Sequence, residues 1–392
     1  MNILLAWELG GNWGHVSRDL PVLRRLRAEG HDVRYAVRDA TIAPTLSASV
    51  DIRCVAAPGG AALRRMPRGL AGFGAILFAD GFGDATVLEQ RLTGWMRLFA
   101  GHQTDVVVSD YAPAALLAAR VAGIPSAAVG SGFEIPPDGA LLPSFLSEPA
   151  QDEAARRFSE GLVLFNVNRV LHRLGALPLQ RLAQVFQGRR NVFTTVAELD
   201  HCGARPDATY AGPVQDLPGG MKASWRTTKP RVLVYLHGVP PVIDEVLQAL
   251  DTIGTDAIAV LPDVGRVPHV RAEIQVFRQP VCFDGLLESA DLVIASGSGT
   301  LTTALLAGIP VLVLPSSAEQ AMFARRVEDM GAGLALGSET AVTVADAIDR
   351  LLRDAPFRTA AGMFAAKYAS LGTESAMRTV IDEIRNVSSG HS

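Results

Sequence analysis

Short apolar runs alternate with amphipathic segments along the first half of the chain. The runs are continuous, as in buried strands, whereas the segments between them repeat apolar residues with helical spacing. The pattern predicts strands at 2–7, 31–37, 104–110 and 124–130, and helices at 18–30 and 112–123. Strands that alternate with helices in this way form a parallel sheet covered on both faces.

The alternation lapses near residue 212 and then resumes. Residues 213–230 are rich in Pro, Gly and polar side chains, which is typical of an interdomain linker. Beyond them the pattern predicts strands with their loops at 231–238 and 291–299, strands at 256–262 and 309–315, and helices at 242–254, 300–308 and 319–331. We therefore expect α/β domains at 1–212 and 231–370, and a terminal segment at 371–392 that contains a helix near 374–386.

The composition describes a globular chain with no global sign of a nucleic-acid partner. Its 392 residues suit two domains; 48% are hydrophobic, 19% are charged, and the net charge is −4. The three cysteines have neither metal-ligand spacing nor the even number of a disulfide framework. The chain starts without a signal-peptide pattern and has no uninterrupted apolar run of about 20 residues. We therefore expect a cytoplasmic protein without a transmembrane helix.

A glycine- and serine-rich loop follows one strand of the second domain. In open parallel sheets, ligands bind beyond the carboxyl ends of the strands, and two such domains leave a cleft between them. Glycines let a ligand approach the backbone, and a helix N-terminus attracts anions. The loop predicts a phosphate or diphosphate site made by Ser296, Gly297, Ser298, Gly299 and Thr300. The alternative is that Ser298 or Thr300 only caps the helix.

Two further places in the second domain are candidates for ligand contact. Glu319 and Gln320 open a predicted helix, where they could bind sugar hydroxyls or, alternatively, only complement the helix dipole. His237 and Gly238 follow a strand at the expected edge of the cleft, so they are candidates as well.

The first predicted strand is followed by glycines and a histidine. Gly10, Gly11 and Gly14 precede His15, which stands at a loop-to-helix boundary. A histidine acts as a general base near neutral pH when a carboxylate holds its other nitrogen. Asp110 ends another strand of the same sheet and is the candidate carboxylate. The alternative is that His15 is an ordinary first-turn residue and that Asp110 caps the next helix.

Metal ligands are not indicated by the sequence. It contains no Asp-x-Asp pair and no Cys/His cluster with ligand spacing. We therefore expect a site that uses neither a metal nor another cofactor.

Two long stretches of the chain resemble a known family. They read GNWGHVSRDLPVLRRLRAEGHDV near the start and ADLVIASGSGTLTTALLAGIPVLVLPSSAEQAMFARRVEDMGAGLAL near the end. They resemble the two ends of GT-B glycosyltransferases, in particular the UDP-glycosyltransferase superfamily with its antibiotic glycosyltransferases and the N-acetylglucosaminyltransferase of peptidoglycan synthesis. The resemblance implies two Rossmann-like parallel-sheet domains that face each other across a cleft, with the terminal helix crossing back to the first domain.

The resemblance implies roles for residues of the first domain. His15 matches the catalytic base of many family members, and Asp110 matches the carboxylate that orients it. We further expect the glycine loop before His15, with Gly11, Asn12 and Gly14, to leave room for donor and acceptor.

The resemblance also implies roles in the second domain. The loop 296–300 matches the segment that holds the donor diphosphate, and Glu319 and Gln320 match the pair that binds hydroxyls of the donor sugar. The segment that usually contacts the nucleotide base in the family matches Val281, Cys282 and Phe283.

One position departs from the family pattern. The family loop reads His-Gly-Gly-x-Gly-Thr, whereas this chain has Ala295 in place of the histidine and is similar there to lipid A disaccharide synthase. The serine hydroxyls are the donors that would substitute for it. The resemblance implies metal-independent, inverting transfer of a hexose from a UDP- or dTDP-sugar to the hydroxyl of a small-molecule or lipid acceptor. Two alternatives stay open: a nucleotide-sugar 2-epimerase, and a catalytically degenerate homologue that only binds a nucleotide.

The stretch 59–83 is the remaining candidate for a partner. It is glycine-rich and apolar, with Arg64, Arg65 and Arg68 clustered. It could form an acceptor lid or touch an anionic membrane surface; the alternative is an ordinary helix and loop with a solvated basic end. The expected partners are a nucleotide sugar and an acceptor, with no nucleic acid, while peripheral membrane contact and the oligomeric state stay open.

Overall fold

The chain divides into two compact units. The computed structural model describes residues 1–11, 13–39, 41, 52–59, 69–214, 220–238, 240–265, 270–283, 285–337 and 342–388. One unit comprises Met1–Gln215 and Thr373–Ser392, and the other Asp216–Gly372. Residues 220–230, predicted as linker, lie in the second unit. They are tied to it because Met221 forms a parallel bridge with Val281 and accepts a 3.0 Å hydrogen bond from the Cys282 N–H.

The first unit is built on a parallel sheet. Its described strands are β1 (Asn2–Trp7), β2 (Asp32–Val37), β3 (Arg53–Ala56), β4 (Val106–Asp110), β5 (Ser126–Gly130), β6 (Arg190–Phe193) and β7 (Thr209–Tyr210). They lie in the order β3-β2-β1-β4-β5-β6-β7, and neighbouring strands are parallel. The strands predicted in this half are present. The pattern misses β3, β6 and β7 because they are short and lack a continuous apolar run.

Helices connect these strands. They are α1 (Trp13–Ala28), α2 (Gly72–Leu77), α3 (Ala85–His102), α4 (Pro113–Ala122) and α5 (Glu153–Arg173), with a π-helical turn at Phe78–Phe82 and 3₁₀ turns at Pro149–Gln151, Leu182–Phe186 and Ala197–Leu199. α4 begins at Pro113, which has no N–H to leave unpaired, and is capped by Gly123 in the left-handed region. α1 begins at Trp13 rather than at residue 18, so His15 lies in its first turn.

The described part of the 59–83 stretch packs into the first unit. Phe73 in α2 and Phe82 in the π-helical turn have no exposed surface (0%). Residues 69–83 therefore form a buried helix and turn, and Arg64, Arg65 and Arg68 lie outside the described residues. Within the part of the chain that the structure describes, no helix is both long enough and apolar enough to cross a membrane.

The second unit repeats the same construction. Its elements are β8 (Arg231–Tyr235), α6 (Pro240–Ile253), β9 (Asp256–Val260), β10 (Ile274–Phe277), a 3₁₀ turn at Leu287–Ser289, β11 (Leu292–Ala295), α7 (Ser298–Leu306), β12 (Val311–Val313), α8 (Ala318–Asp329), β13 (Gly333–Ala335), α9 (Val344–Arg353) and α10 (Ala355–Lys367). The strand order is β10-β9-β8-β11-β12-β13, again with parallel neighbours. Its core joins the apolar residues of the strands to the inner faces of α6 and α9.

The last helix, α11 (Thr373–Ser388), belongs to the first unit. Its apolar face is buried in the core of that unit through Ala376, Met377, Val380, Ile381, Ile384 and Val387. Ion pairs with α1 and with the residue that follows it flank this face: Glu374 lies 3.0 Å from Arg25, and Arg385 pairs with Glu29. Both ends of the chain therefore build the first unit.

Each sheet reverses its strand order at one place. In the first unit this switch lies between β1 and β4, where Trp7 is in register with Asp110; in the second it lies between β8 and β11, where Tyr235 is in register with Ala295. Ligands of open α/β sheets bind beyond the strand ends at such a switch point. The histidine loop follows β1, Asp110 ends β4, His237 follows β8 and the glycine–serine loop follows β11. Glu319 and Gln320 follow the neighbouring strand β12 instead.

Candidate active site

His15 and Asp110 meet at the switch point of the first sheet. The His15 Nδ1 lies 2.7 Å from the Asp110 Oδ2, with 11% and 1% of the two side chains exposed. Asp110 does not cap the following helix, because the N-cap of α4 is Ala112 and has no side-chain hydrogen bond. An imidazole held at Nδ1 by a carboxylate leaves Nε2 to exchange a proton with a ligand.

Gly10 keeps the space next to Nε2 open. Its φ of +77° is in the left-handed region, and a Cβ at this position would lie 2.2 Å from the His15 Nε2. A side chain here would therefore fill the place from which a hydroxyl could approach the imidazole. A Cβ at Gly11 or Gly14 would meet nothing within 4 Å. Asn12, the other predicted residue of this loop, lies outside the described residues.

Two aromatic residues at the strand ends hold the histidine loop. The Trp7 ring stacks on the His15 ring with centroids 5.3 Å apart, and the Trp7 Nε1 donates to the Leu9 carbonyl at 2.7 Å. Tyr111, next to Asp110, has a φ of +47°, which is strained for a residue with a side chain. Its carbonyl accepts the Leu9 N–H at 3.0 Å and so joins the two loops.

Arg18 and Glu134 complete the site, and the sequence analysis did not single them out. The Arg18 guanidinium donates to the Asp110 Oδ1 and, at 3.3 Å, to the Glu134 Oε1, while its Nη2 lies 3.1 Å from the His15 Nδ1. The side chains of Arg18 and Glu134 are 13% and 9% exposed. Arg18 lies three residues after His15 on α1, a spacing that places two side chains on one helix face and could have signalled it. Glu134 follows the end of β5, at the same edge of the sheet.

The ion pairs determine the charges in this buried cluster. Burial alone would raise the pKa of Asp110, but Arg18 and then His15 outweigh burial and hold it below its usual range. For Glu134, Arg18 and then His15 likewise outweigh burial and hold the pKa well below its usual range. Burial alone would lower the pKa of Arg18, but Asp110 and Glu134 raise it. Both carboxylates are therefore ionised at neutral pH and Arg18 is positively charged.

A well-anchored loop carries Glu134. The Ser131 N–H donates to the Glu134 Oε2 at 2.7 Å, and the Ser131 hydroxyl donates to the same oxygen. The Arg205 guanidinium donates to the carbonyls of Gly132 at 3.1 Å and Ile135 at 2.7 Å. Arg205 in turn pairs with the fully buried Asp200 at 3.0 Å. The position of Glu134 is therefore set by the backbone as well as by Arg18.

A third carboxyl group, Asp19, lies behind this pair and is 2% exposed. It accepts a 2.6 Å hydrogen bond from the Tyr35 hydroxyl. Burial, and next the negative charge of Asp110, raise the pKa of Asp19 well above its usual range. A side-chain hydrogen bond between Asp19 and Asp110 raises the pKa of Asp19 further.

His15, Asp110 and Glu134 are close enough together to be considered as metal ligands. Each offers one ligand atom, and these atoms lie within 4.8 Å of one another. Arg18, however, already contacts both carboxylates, and its positive charge repels a divalent ion. The arrangement favours a network of ion pairs over a metal centre.

The glycine–serine loop of the second unit opens α7. The N-cap is Gly297, which offers no side-chain cap, so the alternative in which Ser298 or Thr300 caps this helix is wrong. The helix starts at Ser298, and the first N–H groups of a helix have no partner within it. The Ser296 hydroxyl donates to the Leu314 carbonyl at 2.6 Å and so joins β11 to the end of β12. Anion binding would therefore depend on the N–H groups and on the side chains of Ser298 and Thr300.

Ala295 occupies the position where the resemblance would place a histidine. It ends β11 and is completely buried (0% exposed), and its carbonyl accepts the Leu314 N–H at 3.0 Å. Position 295 therefore belongs to the core of the second unit in this chain.

Glu319 and Gln320 lie in the first turn of α8. Ser317 caps this helix by accepting the Gln320 N–H at 3.3 Å. The Gln320 Oε1 accepts both the Ser316 N–H, at 2.8 Å, and the Ser316 hydroxyl, at 2.9 Å. Gln320 thus has a structural role at the helix start, and its side-chain amide nitrogen takes no part in these bonds.

The other donor-site candidates gather beside the end of β8. The Tyr235 ring lies 5.5 Å from the His237 ring and 6.4 Å from the Phe283 ring, measured between centroids. The His237 Nδ1 lies 2.8 Å from the Asp263 Oδ2, and both residues are half exposed. Gly238 follows with a φ of +118°, while Cys282, a free thiol, and Val281 are held by the backbone of residue 221. Tyr235 is a further candidate, which its place at the strand end could have signalled.

Comparisons with known proteins agree with this architecture. Residues 238–381 match the family described as "Erythromycin biosynthesis protein CIII-like, C-terminal domain". The chain is 28% identical over 288 residues to a "PGL/p-HBAD biosynthesis glycosyltransferase" of Mycobacterium tuberculosis, covering 67% of each chain. It is 35% identical over 173 residues to the "Elloramycin glycosyltransferase ElmGT" of Streptomyces olivaceus, covering 39% of this chain and 41% of the relative.

A similar fold is found in a solved glycosyltransferase structure. The "Spinosyn Rhamnosyltransferase SpnG complexed with thymidine diphosphate" superimposes with a TM-score of 0.68 and 20% sequence identity, covering 97% of this chain and 100% of that chain. At 20% identity the structural similarity supports the fold alone, whereas the similarity to the sequence relatives supports glycosyltransferase activity. The chain is therefore a glycosyltransferase with the GT-B fold, and it is similar to glycosyltransferases of antibiotic and glycolipid biosynthesis.

Proposed function

We propose that this glycosyltransferase moves a hexose from a dTDP- or UDP-linked sugar to a hydroxyl group of a hydrophobic small-molecule or lipid acceptor. The proposed reaction inverts the anomeric centre and needs no metal. The observation that carries the proposal is the His15–Asp110 hydrogen bond, with Nε2 directed to the open space beside Gly10.

The base chemistry follows from that geometry. The acceptor hydroxyl gives its proton to the His15 Nε2, while the Nδ1–H stays hydrogen-bonded to Asp110. The acceptor oxygen then forms a bond to the anomeric carbon, and the bond from that carbon to the diphosphate breaks with its electron pair on the leaving oxygen. Attack from the side opposite the leaving group inverts the centre.

The second unit is proposed to hold the donor. The N-terminus of α7 offers backbone N–H groups and a partial positive charge, which suit a departing diphosphate. Tyr235 and Phe283 offer ring faces or edges to a nucleobase, and Glu319 and Gln320 are proposed to contact the donor sugar. SpnG has been solved with thymidine diphosphate and with spinosyn aglycone, which is why we place dTDP-sugars first and expect a hydrophobic acceptor.

His15→Ala tests the proposed base. We expect kcat to fall by about 10²- to 10⁴-fold, because the acceptor proton loses its recipient. The dissociation constant for the nucleotide should not change, since His15 belongs to the other unit. The rate is measured with a panel of acceptors, and binding by thermal unfolding with UDP, dTDP, GDP and CMP. His172→Ala, at an exposed position on α5, is the matched control and should transfer at the wild-type rate.

Three results would contradict the proposal. Transfer by His15→Ala at the wild-type rate would exclude His15 as the base. Conversion of a nucleotide sugar without any acceptor, followed by NMR, would indicate the 2-epimerase instead. Binding of a nucleotide with neither reaction would indicate a degenerate homologue.

A further inference from the structure

The buried cluster around His15 has a defined balance of charges. Asp110 and Glu134 are ionised and Arg18 is positive, whereas burial raises the pKa of Asp19 well above its usual range. With a neutral His15, two carboxylates and one guanidinium leave a net charge of −1. When His15 accepts a proton, the cluster becomes neutral.

This balance matters because the cluster is shielded from water. The side chains of Asp110 and Glu134 are 1% and 9% exposed, so solvent contributes little to the stability of their charges. If the positive and negative charges of the cluster already cancelled before transfer, protonation of His15 would leave a buried cation without a counter-charge, which is energetically costly. The spare negative charge therefore has to come from the protein.

We propose that Glu134 and Arg18 are positioning residues of the base: Arg18 neutralises Asp110 while His15 is uncharged, and Glu134 supplies the negative charge that balances the imidazolium formed during transfer. The inference rests on the proposed function for its kinetic consequence. The charge relation itself is a property of the unit in the absence of substrate.

The surroundings of His15 leave this role to Glu134. Asp110 already shares its charge between His15 and Arg18, and Trp7 covers one ring face of His15 without a charge. Asp19 and Tyr35 are bonded to each other next to Asp110, and burial raises the pKa of both groups, which disfavours further negative charge there. After Arg18 and His15, His201 also lowers the pKa of the Glu134 carboxyl. Glu134 is thus the second carboxylate that faces His15, within 4.8 Å of it.

Glu134→Gln and Arg18→Gln test the proposal because they should act in opposite directions. His15 works as a base while it is neutral, so kcat/KM falls as the pH drops through its titration. Glu134→Gln removes a charge that favours the imidazolium, so the acidic limb of the profile should move to lower pH by about one unit or more, with kcat about tenfold lower on the plateau. Arg18→Gln removes a charge that opposes the imidazolium, so the limb should move to higher pH.

A substrate-free measurement separates this inference from the proposed function. The ring of His15 is titrated by NMR in protein with labelled histidine and assigned with His15→Asn. Glu134→Gln should move the midpoint to lower pH and Arg18→Gln should move it to higher pH, whether or not any acceptor is turned over. Arg18→Lys should restore most of the wild-type midpoint.

Controls keep a merely structural role distinguishable. Asp138→Asn breaks an exposed bidentate pair with Arg181 in the same unit and should leave the midpoint unchanged. Thermal unfolding identifies variants that fail to fold. Midpoints that stay in place, or that move in the same direction in both variants, would overturn the inference even if transfer itself is found.

Discussion

The two switch points have the same topology and different chemistry. In the first unit, the ends of β1 and β4 gather an imidazole, a guanidinium and three carboxyl groups in a site nearly closed to water. In the second unit, the ends of β8 and β11 present a helix N-terminus, hydroxyl groups and half-exposed rings. The sheet edge of the first unit therefore carries ionised side chains, whereas that of the second unit presents mainly backbone dipoles.

The difference suits the two tasks that we propose for these edges. A base has to change its charge during each turnover, so the opposing charges must already be in place and shielded from solvent. A diphosphate brings its own charge and needs only hydrogen-bond donors with a fixed direction. The same strand order therefore serves both tasks, and the loops decide which one is performed.

Gly10→Ala should have the largest effect on activity, because it disturbs the His15 site of the first unit. The new Cβ would lie 2.2 Å from the His15 Nε2, and the left-handed backbone would be strained by about 1–2 kcal/mol. Because the ring has to move by about 1 Å, we expect kcat/KM to fall by about 100-fold. Nucleotide binding should persist, as measured by calorimetry.

The matched control for this variant is Gly101→Ala in α3, where a Cβ meets nothing within 4 Å. It should retain the wild-type rate. An unchanged kcat/KM in Gly10→Ala would mean that the space beside Nε2 is not where the acceptor enters.

Ser298→Pro and Ser298→Ala should sharpen the second side of the comparison. Position 298 is the first residue of α7, and Gly297 before it is extended (φ −80°, ψ 130°), so proline fits the backbone there. Ser298→Pro removes a backbone N–H together with the hydroxyl, whereas Ser298→Ala removes the hydroxyl alone. We expect the Kd for the nucleoside diphosphate to rise about tenfold or more in Ser298→Pro and only a few-fold in Ser298→Ala.

Equal losses in the two variants would show that the hydroxyl, rather than the helix N-terminus, binds the phosphate. Calorimetric titration with dTDP and UDP measures both. Circular dichroism checks that α7 is retained.

Asp19→Asn should have the smallest effect on activity and a visible effect on stability. An amide mimics the protonated carboxyl: it accepts from Tyr35 and donates to Asp110, so kcat should stay within about twofold. The wild-type carboxyl has its pKa raised in the folded state, and its contribution to stability is present at low pH and lost as the pH rises. Between pH 5 and pH 8 the variant lacks this loss and should gain about 1.4 kcal/mol relative to wild type for each pH unit over which Asp19 keeps its proton in the folded state.

Denaturant unfolding at the two pH values measures this difference. Free energies of unfolding that depend on pH in the same way in both proteins would mean that Asp19 is ionised in the folded state.

Much of the architecture follows from local patterns. The runs at 2–7 and 104–110 are apolar because both faces of their sheet are covered. His15 follows the first of these strands and Asp110 ends the second, so both residues could be predicted at the same edge of the sheet. The short strands β3, β6 and β7 carry no such signal, since their pairing depends on neighbours that are distant in sequence.

The missing members of the site have the same cause. Glu134 lies in a loop whose position depends on Arg205 and Asp200, and no local spacing connects it with Arg18. Ser296 shows the converse: its residue type suits a phosphate loop, but its hydroxyl is directed to the Leu314 carbonyl by the packing of β11 against β12.

The placement of α11 has a consequence for how the protein is made. The surface of the first unit that α11 covers is completed only by residues 373–388, which a ribosome adds after the whole second unit. Until then Val106, Val129 and Val192 of that core lack the apolar partners that α11 provides. The first unit therefore cannot complete this core until residues 373–388 have been synthesised, and removal of the last helix should leave apolar surface exposed and promote aggregation.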